Sequence, residues 1–351
     1  MTGPSPEPGF YCPITPTPYP HRDSLVASTL QWARAVRLCA DDTKRTENFA
    51  VAGAHSTAYF YPRTSTMERI QALAHFHAWI LAVDDRSEDS PDNDRLCWLA
   101  ETLPRFARIL EAPDLGHRSH DHFDQALGDI AASLHRWASV GQLRRFTDSL
   151  RIWALGCFWE AAAWDRGIPP SLADYLPMRY AAGGGTATAG AAMAVMRDGE
   201  ELPDVIADSP QVRAVSEAAV LTVLLDNDRY SRAKTLRRHG KEIDIVDVVQ
   251  HADPGCSYVE AVKQAVALRD RIMTLYLRLR EQLRPNAGPE LGRYLSALDD
   301  LLRGNLEWGR NFVRYLTPDR VLPPYADKPS DLSTEPLDVP AVAWWWDQLA
   351  P

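Results

Sequence analysis

Two stretches of this 351-residue chain run apolar for more than a helical turn and then end abruptly in acids. LAHFHAWILAVDDRSED is apolar nearly all round from Ala78 to Val83, then delivers Asp84, Asp85 and Glu88. AVLTVLLDNDRYSRAKT runs apolar from Ala218 to Leu225, then presents Asp226, Asn227 and Asp228. A helix that is apolar on every side must be enclosed by others. A carboxylate on such a helix costs several kcal/mol unless it is paired or metal-bound. Two such helices in one chain ask for a shared cation.

The spacing narrows the cation. Asp84 and Glu88 are four residues apart, so their side chains stack on one helix face about 6 Å apart along the axis. Asn227, Ser231 and Thr235 repeat that step twice. A set of oxygen donors without His or Cys suits Mg²⁺ or Mn²⁺. Magnesium takes one or two carboxylates, keeps waters, and completes its shell with substrate phosphates. The implied substrate is a phosphate or diphosphate ester lying between two helices.

The rest of the chain fits an all-α protein. Apolar residues recur at helical spacing from about residue 23 to 316, with no β-alternation and no Asn-Gly hairpin. Helices are predicted near 23–42, 66–85, 93–111, 122–138, 142–165, 171–180, 185–196, 209–236, 257–283 and 288–316. Breaks fall at Pro91, Pro113, Gly167–Pro170, Gly183–Gly185, Gly199–Pro203 and Pro285–Pro289. Residues 1–22 carry seven prolines and form an extended arm. A second proline-rich segment, beginning with Pro318 and ending in AWWWDQLAP, reads as a C-terminal tail over 317–351, a flap or a docking tail.

Composition excludes several classes. Apolar residues are 45% and charged residues 24%, enough for a sizeable core. The net charge of −9 argues against a nucleic-acid surface. No window approaches the ~18 uninterrupted apolar residues of a membrane span. No signal peptide is visible, and five scattered cysteines read as the reduced thiols of a cytoplasmic protein.

With these residues in hand, the chain resembles the bacterial class I terpene synthases. DDRSE (Asp84, Asp85, Glu88) looks like their aspartate-rich motif, and NDRYSRAKT like their second metal motif, NDxxSxxxE. Arg179 in YLPMRYAAGG, 48 residues before Asn227, is placed like the family's diphosphate-sensing arginine, and Gly183 like the helix-break glycine after it. Arg314-Tyr315 resembles the family's late Arg-Tyr pair, and FYCPITPTPYP its N-terminal strand. One position departs: Thr235 stands where the family has Glu, which implies a more weakly bound second metal.

The resemblance implies an all-α fold, one large antiparallel helical bundle over residues 23–316 with a central active-site cavity. It implies a Mg-dependent cyclase that ionises farnesyl or geranylgeranyl diphosphate, releases pyrophosphate and closes the carbocation to a sesqui- or diterpene. Up to three Mg²⁺ (or Mn²⁺) would be held by Asp84, Glu88, Asn227, Ser231 and Thr235. Arg179, Lys234, Arg314 and Tyr315 would bind the diphosphate, with Asp84, Asp85, Arg179 and Gly183 at the catalytic centre. Asp85 is expected to pair with an arginine or a water. Phe76, Trp79, Ile80, Trp153, Phe158 and Trp159 are candidate cavity walls. A homodimer is compatible with the family.

Other features give weaker signals. Asp41-Asp42 and Asp299-Asp300 lack an acid three or four residues on and read as solvated or ion-paired faces. HRSHDH reads as a solvated loop rather than a zinc site, and His75 and His77 diverge by about 200° on a helix. GGGTATAG lacks the strand and Gly-Lys-Ser/Thr ending of a phosphate loop. The alternatives are a degenerate relative acting as a binding scaffold, motivated by Thr235, and a chain-elongating prenyltransferase.

Overall fold

The apolar periodicity is realised almost entirely as α-helix. A computed structural model of the chain describes residues 7–40, 42–64, 66–89, 92–183, 185–196, 200–240, 243–312, 314–315 and 322–350. Residues 1–6 of the arm, Asp41, Pro91, Gly184, Gly199, the 316/317 boundary and Pro318, all singled out above, lie outside the described residues. The helices are α1 Arg22–Ala35, α2 Thr43–Phe60, α3 Met67–Glu88, α4 Asp92–Glu111, α5 Asp114–His117, α6 His122–Trp137, α7 Val140–Arg166 and α8 Leu172–Gly183. They continue with α9 Gly185–Val195, α10 Asp204–Ala207, α11 Pro210–His239, α12 Ile245–Ala252, α13 Tyr258–Leu283, α14 Pro289–Asn311 and α15 Pro340–Ala343.

The helices depart from the sequence expectation at several places, among them the short α5, α10 and α15. The expected 23–42 helix stops at Ala35, because Arg37 and Ala40 take positive φ (52° and 50°) and turn the chain. A fresh helix, α2, then starts at the Asp42 cap, whose carboxylate accepts the Arg45 amide at 2.8 Å. Its packing stripe is made of small residues (Ala50, Gly53, Ala54, Thr57, Ala58), so it gives little hydrophobic signal. That stripe permits a very close approach to α3: a Cβ on Gly53 would stand 2.4 Å from the Ala78 amide nitrogen. The short α12 was also unforeseen. It is set by a capping box in which Asp244 and Asp247 satisfy each other's amides.

The bundle core brings α3 and α11 to its centre. Phe76, Trp79 and Val83 are buried to 1% exposure or less, as are Ala218, Leu221 and Leu225. The arm and tail lie along the outside and meet in a two-stranded parallel pair, β1 Phe10–Tyr11 with β2 Tyr325–Ala326. Two buried arginines fasten the arm. Arg229 of α11 lies 4.1 Å from the Phe10 ring and donates to the Pro8 carbonyl. Arg269 of α13 donates to the Tyr11 carbonyl and forms a buried ion pair with Asp226 at 2.5 Å. Among the described residues no helix is long and apolar enough to cross a membrane.

Candidate active site

The acid-bearing end of α3 and the acid-bearing stretch within α11 open onto one cavity of about 270 Å³. From α3 it receives His77, Ile80, Leu81, Asp84 and Glu88; from α11 it receives Asn227, Ser231, Lys234 and Thr235. The four-residue steps therefore do put these oxygens on the inner face of each helix. Asp226 turns away to its partner Arg269.

Asp228 is held by three donors. Arg179 Nε reaches it at 2.7 Å, the Tyr175 hydroxyl at 2.5 Å, and the Ile245 amide at 3.4 Å. The same guanidinium spends Nη2 on Asn227 Oδ1, 2.9 Å away. Arg179 thus ties α8 to the second motif and fixes the Asn227 amide. Gly183 is required by this closeness: a Cβ there would meet Leu224 Cδ2 at 2.3 Å and Arg179 Nη1 at 3.2 Å. Its helix α8 ends at Gly183 and α9 begins at Gly185.

Asp85 points to Arg314, which grips both of its carboxylate oxygens, one of them at 3.3 Å. A two-point arginine–carboxylate contact fixes both groups. Burial pushes the neighbouring Tyr315 hydroxyl pKa up, against hydrogen bonds with Arg314 and Asn227 that lower it. The segment after α14 therefore touches both motifs, Asp85 on α3 and Asn227 on α11.

The wall assignments need correction. Ile80 and Trp153 line the cavity; Phe76, Trp79, Phe158 and Trp159 do not. Phe76 and Trp79 sit in the core, Phe76 at 4.7 Å from Phe146 and Trp79 donating its indole N–H to the Phe123 carbonyl at 2.9 Å. The cause is helical phase: eight residues overshoot alignment with Asp84 by about 80°, whereas seven fall short by only about 20°. The wall residue is thus His77. On α7 the inner line is Trp153, Glu160 and Trp164, which leaves Phe158 packed against the core and Trp159 facing outward at 37% exposure.

Several site residues escaped sequence reasoning. Glu160 lines the cavity beside Arg95, whose guanidinium reaches it at 3.4 Å and Ser87 Oγ at 3.2 Å. Its signal was available: it is the lone acid in the apolar run from Leu155 to Trp164. Tyr175 is one turn before Arg179 on α8, and could have been found from that spacing. Phe60 and Trp308, facing the cavity from α2 and α14, carried no sequence signal distinct from core.

A hard divalent cation fits this donor set. The Asp84 carboxyl pKa is pushed up, first by burial, then by Glu88, Glu160 and Asp85, with Lys234 pulling it down. Buried negative charge of this kind is relieved by a metal ion. Among the described residues no group of three or more His, Cys, Asp or Glu side chains could hold a metal by itself. A carboxylate pair here and neutral oxygens opposite leave coordination places for water and phosphate, the arrangement magnesium prefers. The Asp299-Asp300 pair is occupied elsewhere, Asp299 by Tyr276, Arg280 and Arg284 and Asp300 by Thr17 and Arg63.

Known proteins share this arrangement of helices. The family described as "Terpene synthase family 2, C-terminal metal binding" matches residues 75–274. Spiroviolene synthase of Streptomyces violens is 33% identical over 349 residues, 97% of this chain and 96% of its own. A (+)-T-muurolol synthase of Streptomyces clavuligerus, named as cyclizing (2E,6E)-farnesyl diphosphate, is 31% identical over 346 residues, 96% of this chain and 81% of its own. The crystal structure of the SVS_A2 protein from ancestral sequence reconstruction, 35% identical, matches with a TM-score of 0.84 over 97% of this chain and 98% of that one.

Proposed function

The chain belongs to the terpene synthase family, and from that premise we propose a Mg-dependent cyclase that ionises farnesyl or geranylgeranyl diphosphate, expels pyrophosphate and cyclises the carbocation. The observation that carries this is the meeting of Asp84 and Glu88 with Asn227, Ser231 and Thr235 at one cavity that continues into aromatic and aliphatic walls.

Asp84 and Glu88 would hold metal on one side, and Asn227, Ser231 and Thr235 on the other, up to three Mg²⁺ (or Mn²⁺) in all. When bound, such ions supply positive charge that is in place before the diphosphate leaves. Arg179 and Arg314 keep further N–H donors beyond those spent on Asp228, Asn227 and Asp85, and these are aimed by the carboxylates that hold them. They bind the diphosphate with Lys234 and the Tyr315 hydroxyl. Asp85 acts by orienting Arg314. Beyond that layer, Ile80, Trp153, Phe60 and Trp308 exclude water, and the three aromatic rings offer faces that attract a cation.

Incubation with geranyl, farnesyl and geranylgeranyl diphosphates and Mg²⁺, read by mass spectrometry of the extract, tests this. One of the C15 or C20 substrates is expected to yield cyclic terpene plus pyrophosphate, and a chelator to stop it. Three unconsumed substrates overturn the reading. Joint binding of Mg²⁺ and pyrophosphate in calorimetry separates an enzyme from the scaffold that Thr235 brings to mind, and lack of isopentenyl diphosphate consumption separates it from a prenyltransferase. The free cysteines suit the cytoplasm. A homodimer also belongs to this reading, supported by exposed Ile152, Leu155 and Trp159 on α7; light scattering at twice 39.3 kDa would accord with it.

A further inference from the structure

Among the side chains that line the cavity away from the acids, His77 is a titratable base. His77 projects into the chamber from α3, seven residues before Asp84. At 1.5 Å per residue it stands about 10 Å deeper than the acids. Rings surround it: Phe60 at 5.6 Å edge-on and Tyr61 at 5.5 Å.

The tautomer of His77 follows from its neighbours. Nδ1 lies 2.9 Å from Thr57 Oγ1 and 3.2 Å from Ser56 Oγ. Thr57 Oγ1 is also 2.7 Å, and Ser56 Oγ 3.0 Å, from the Gly53 carbonyl oxygen. A carbonyl only accepts, so each hydroxyl spends its single proton on Gly53. With both hydroxyl protons on Gly53, Nδ1 faces two acceptors, and this arrangement assigns it the ring proton. Nε2 is left with a bare lone pair and has no hydrogen-bond partner among the described residues. Asn305, also on the cavity wall, accepts from Tyr230 at 2.6 Å and donates to the Val223 carbonyl at 3.2 Å.

We propose that His77 is the base that ends the reaction: its Nε2 removes a proton from the carbon next to the cationic centre of the cyclised skeleton. The inference rests on the cyclase reading above. The C–H bond breaks, its electron pair closes a C=C bond in the product, and the proton forms a bond to Nε2. One positive charge moves from carbon to imidazolium, so the cavity carries no more charge than before. Burial lowers the His77 pKa to about 4, yet a carbocation is a far stronger acid than any imidazolium, so the transfer runs downhill. Nδ1–H keeps its two acceptors throughout. The expelled pyrophosphate is held at the acid layer, about 10 Å away along α3, too far to reach the deep end of the skeleton. The proton passes to water once the product has left.

The test compares wild type with His77→Phe, which keeps a flat ring among rings. In His77→Phe the wild-type olefin is expected to fall at least about tenfold as a share of total terpene. Isomers with the double bond elsewhere, or alcohols, should take its place. Pyrophosphate release is followed alongside to show that the variant still ionises substrate. If the Phe variant loses its helical circular dichroism, His77→Asn, which keeps a donor for Thr57, is read the same way. An unchanged olefin share in a variant that still releases pyrophosphate overturns the role of His77 alone. A wild-type product that takes up ¹⁸O from labelled water also overturns it, because a hydroxyl then ends the reaction. A wild type that consumes none of the diphosphates removes the cyclase reading itself.

Discussion

The end of α3 and the 226–235 stretch of α11 lie on two sides of one cavity and solve different problems. The α3 end concentrates charge: Asp84, Asp85 and Glu88 stand within one turn, with Glu160 nearby raising the cost of ionising Asp84. The α11 stretch offers the cavity an amide, two hydroxyls and an ammonium, while its carboxylate Asp228 turns to Arg179 and Tyr175. One side supplies electrostatic demand, the other supplies order. Cation affinity should therefore come mainly from α3, and geometric fixation of the leaving group mainly from α11 and Arg179.

The largest effect should come from removing either side altogether. Asp84→Ala or Asn227→Leu is expected to lower turnover at least about a hundredfold with the helical circular dichroism unchanged; substantial turnover in either would break the pairing. Arg314→Ala comes next. It removes the guanidinium from Asp85 and should lower kcat/KM about tenfold or more and cost about 1–3 kcal/mol in denaturant melts. Tyr175→Phe takes one of three donors from Asp228, so kcat/KM should fall only several-fold, with stability lower by about 1 kcal/mol. Thr235→Glu should have the smallest effect on turnover and is the sharpest probe of the asymmetry. It adds charge to the side that lacks it, and the Mg²⁺ concentration at half-maximal rate should drop; an unchanged or higher value breaks the alignment of that motif with a metal site.

Much of the fold was legible because large apolar residues repeat at helical spacing. The α2 helix was not, because its packing stripe is built from alanine, glycine and threonine, and its meaning lies in how closely α3 approaches Gly53. Within the site, the acids announced themselves by standing at the ends of apolar runs. The cavity wall was harder. Composition shows which side chains are aromatic, but helical phase decides which face the void, and a one-residue error exchanged His77 for Phe76. Glu160 stood out as the lone acid of an apolar run, but its pairing with Arg95 needed the packing of α7 against α4, a long-range fact that no local pattern carries.

The strap formed by residues 8–11 gives the molecule a weak point and a warning signal. Arg229 stands two positions after Asn227, on the opposite side of α11 from the cavity-facing oxygens, and Arg269 grips both the strap and Asp226. If the strap peels away, two interior guanidiniums lose their carbonyl acceptors just behind the cavity-lining face of α11. Heat or a protease acting at this edge should therefore silence the enzyme before the bundle itself melts.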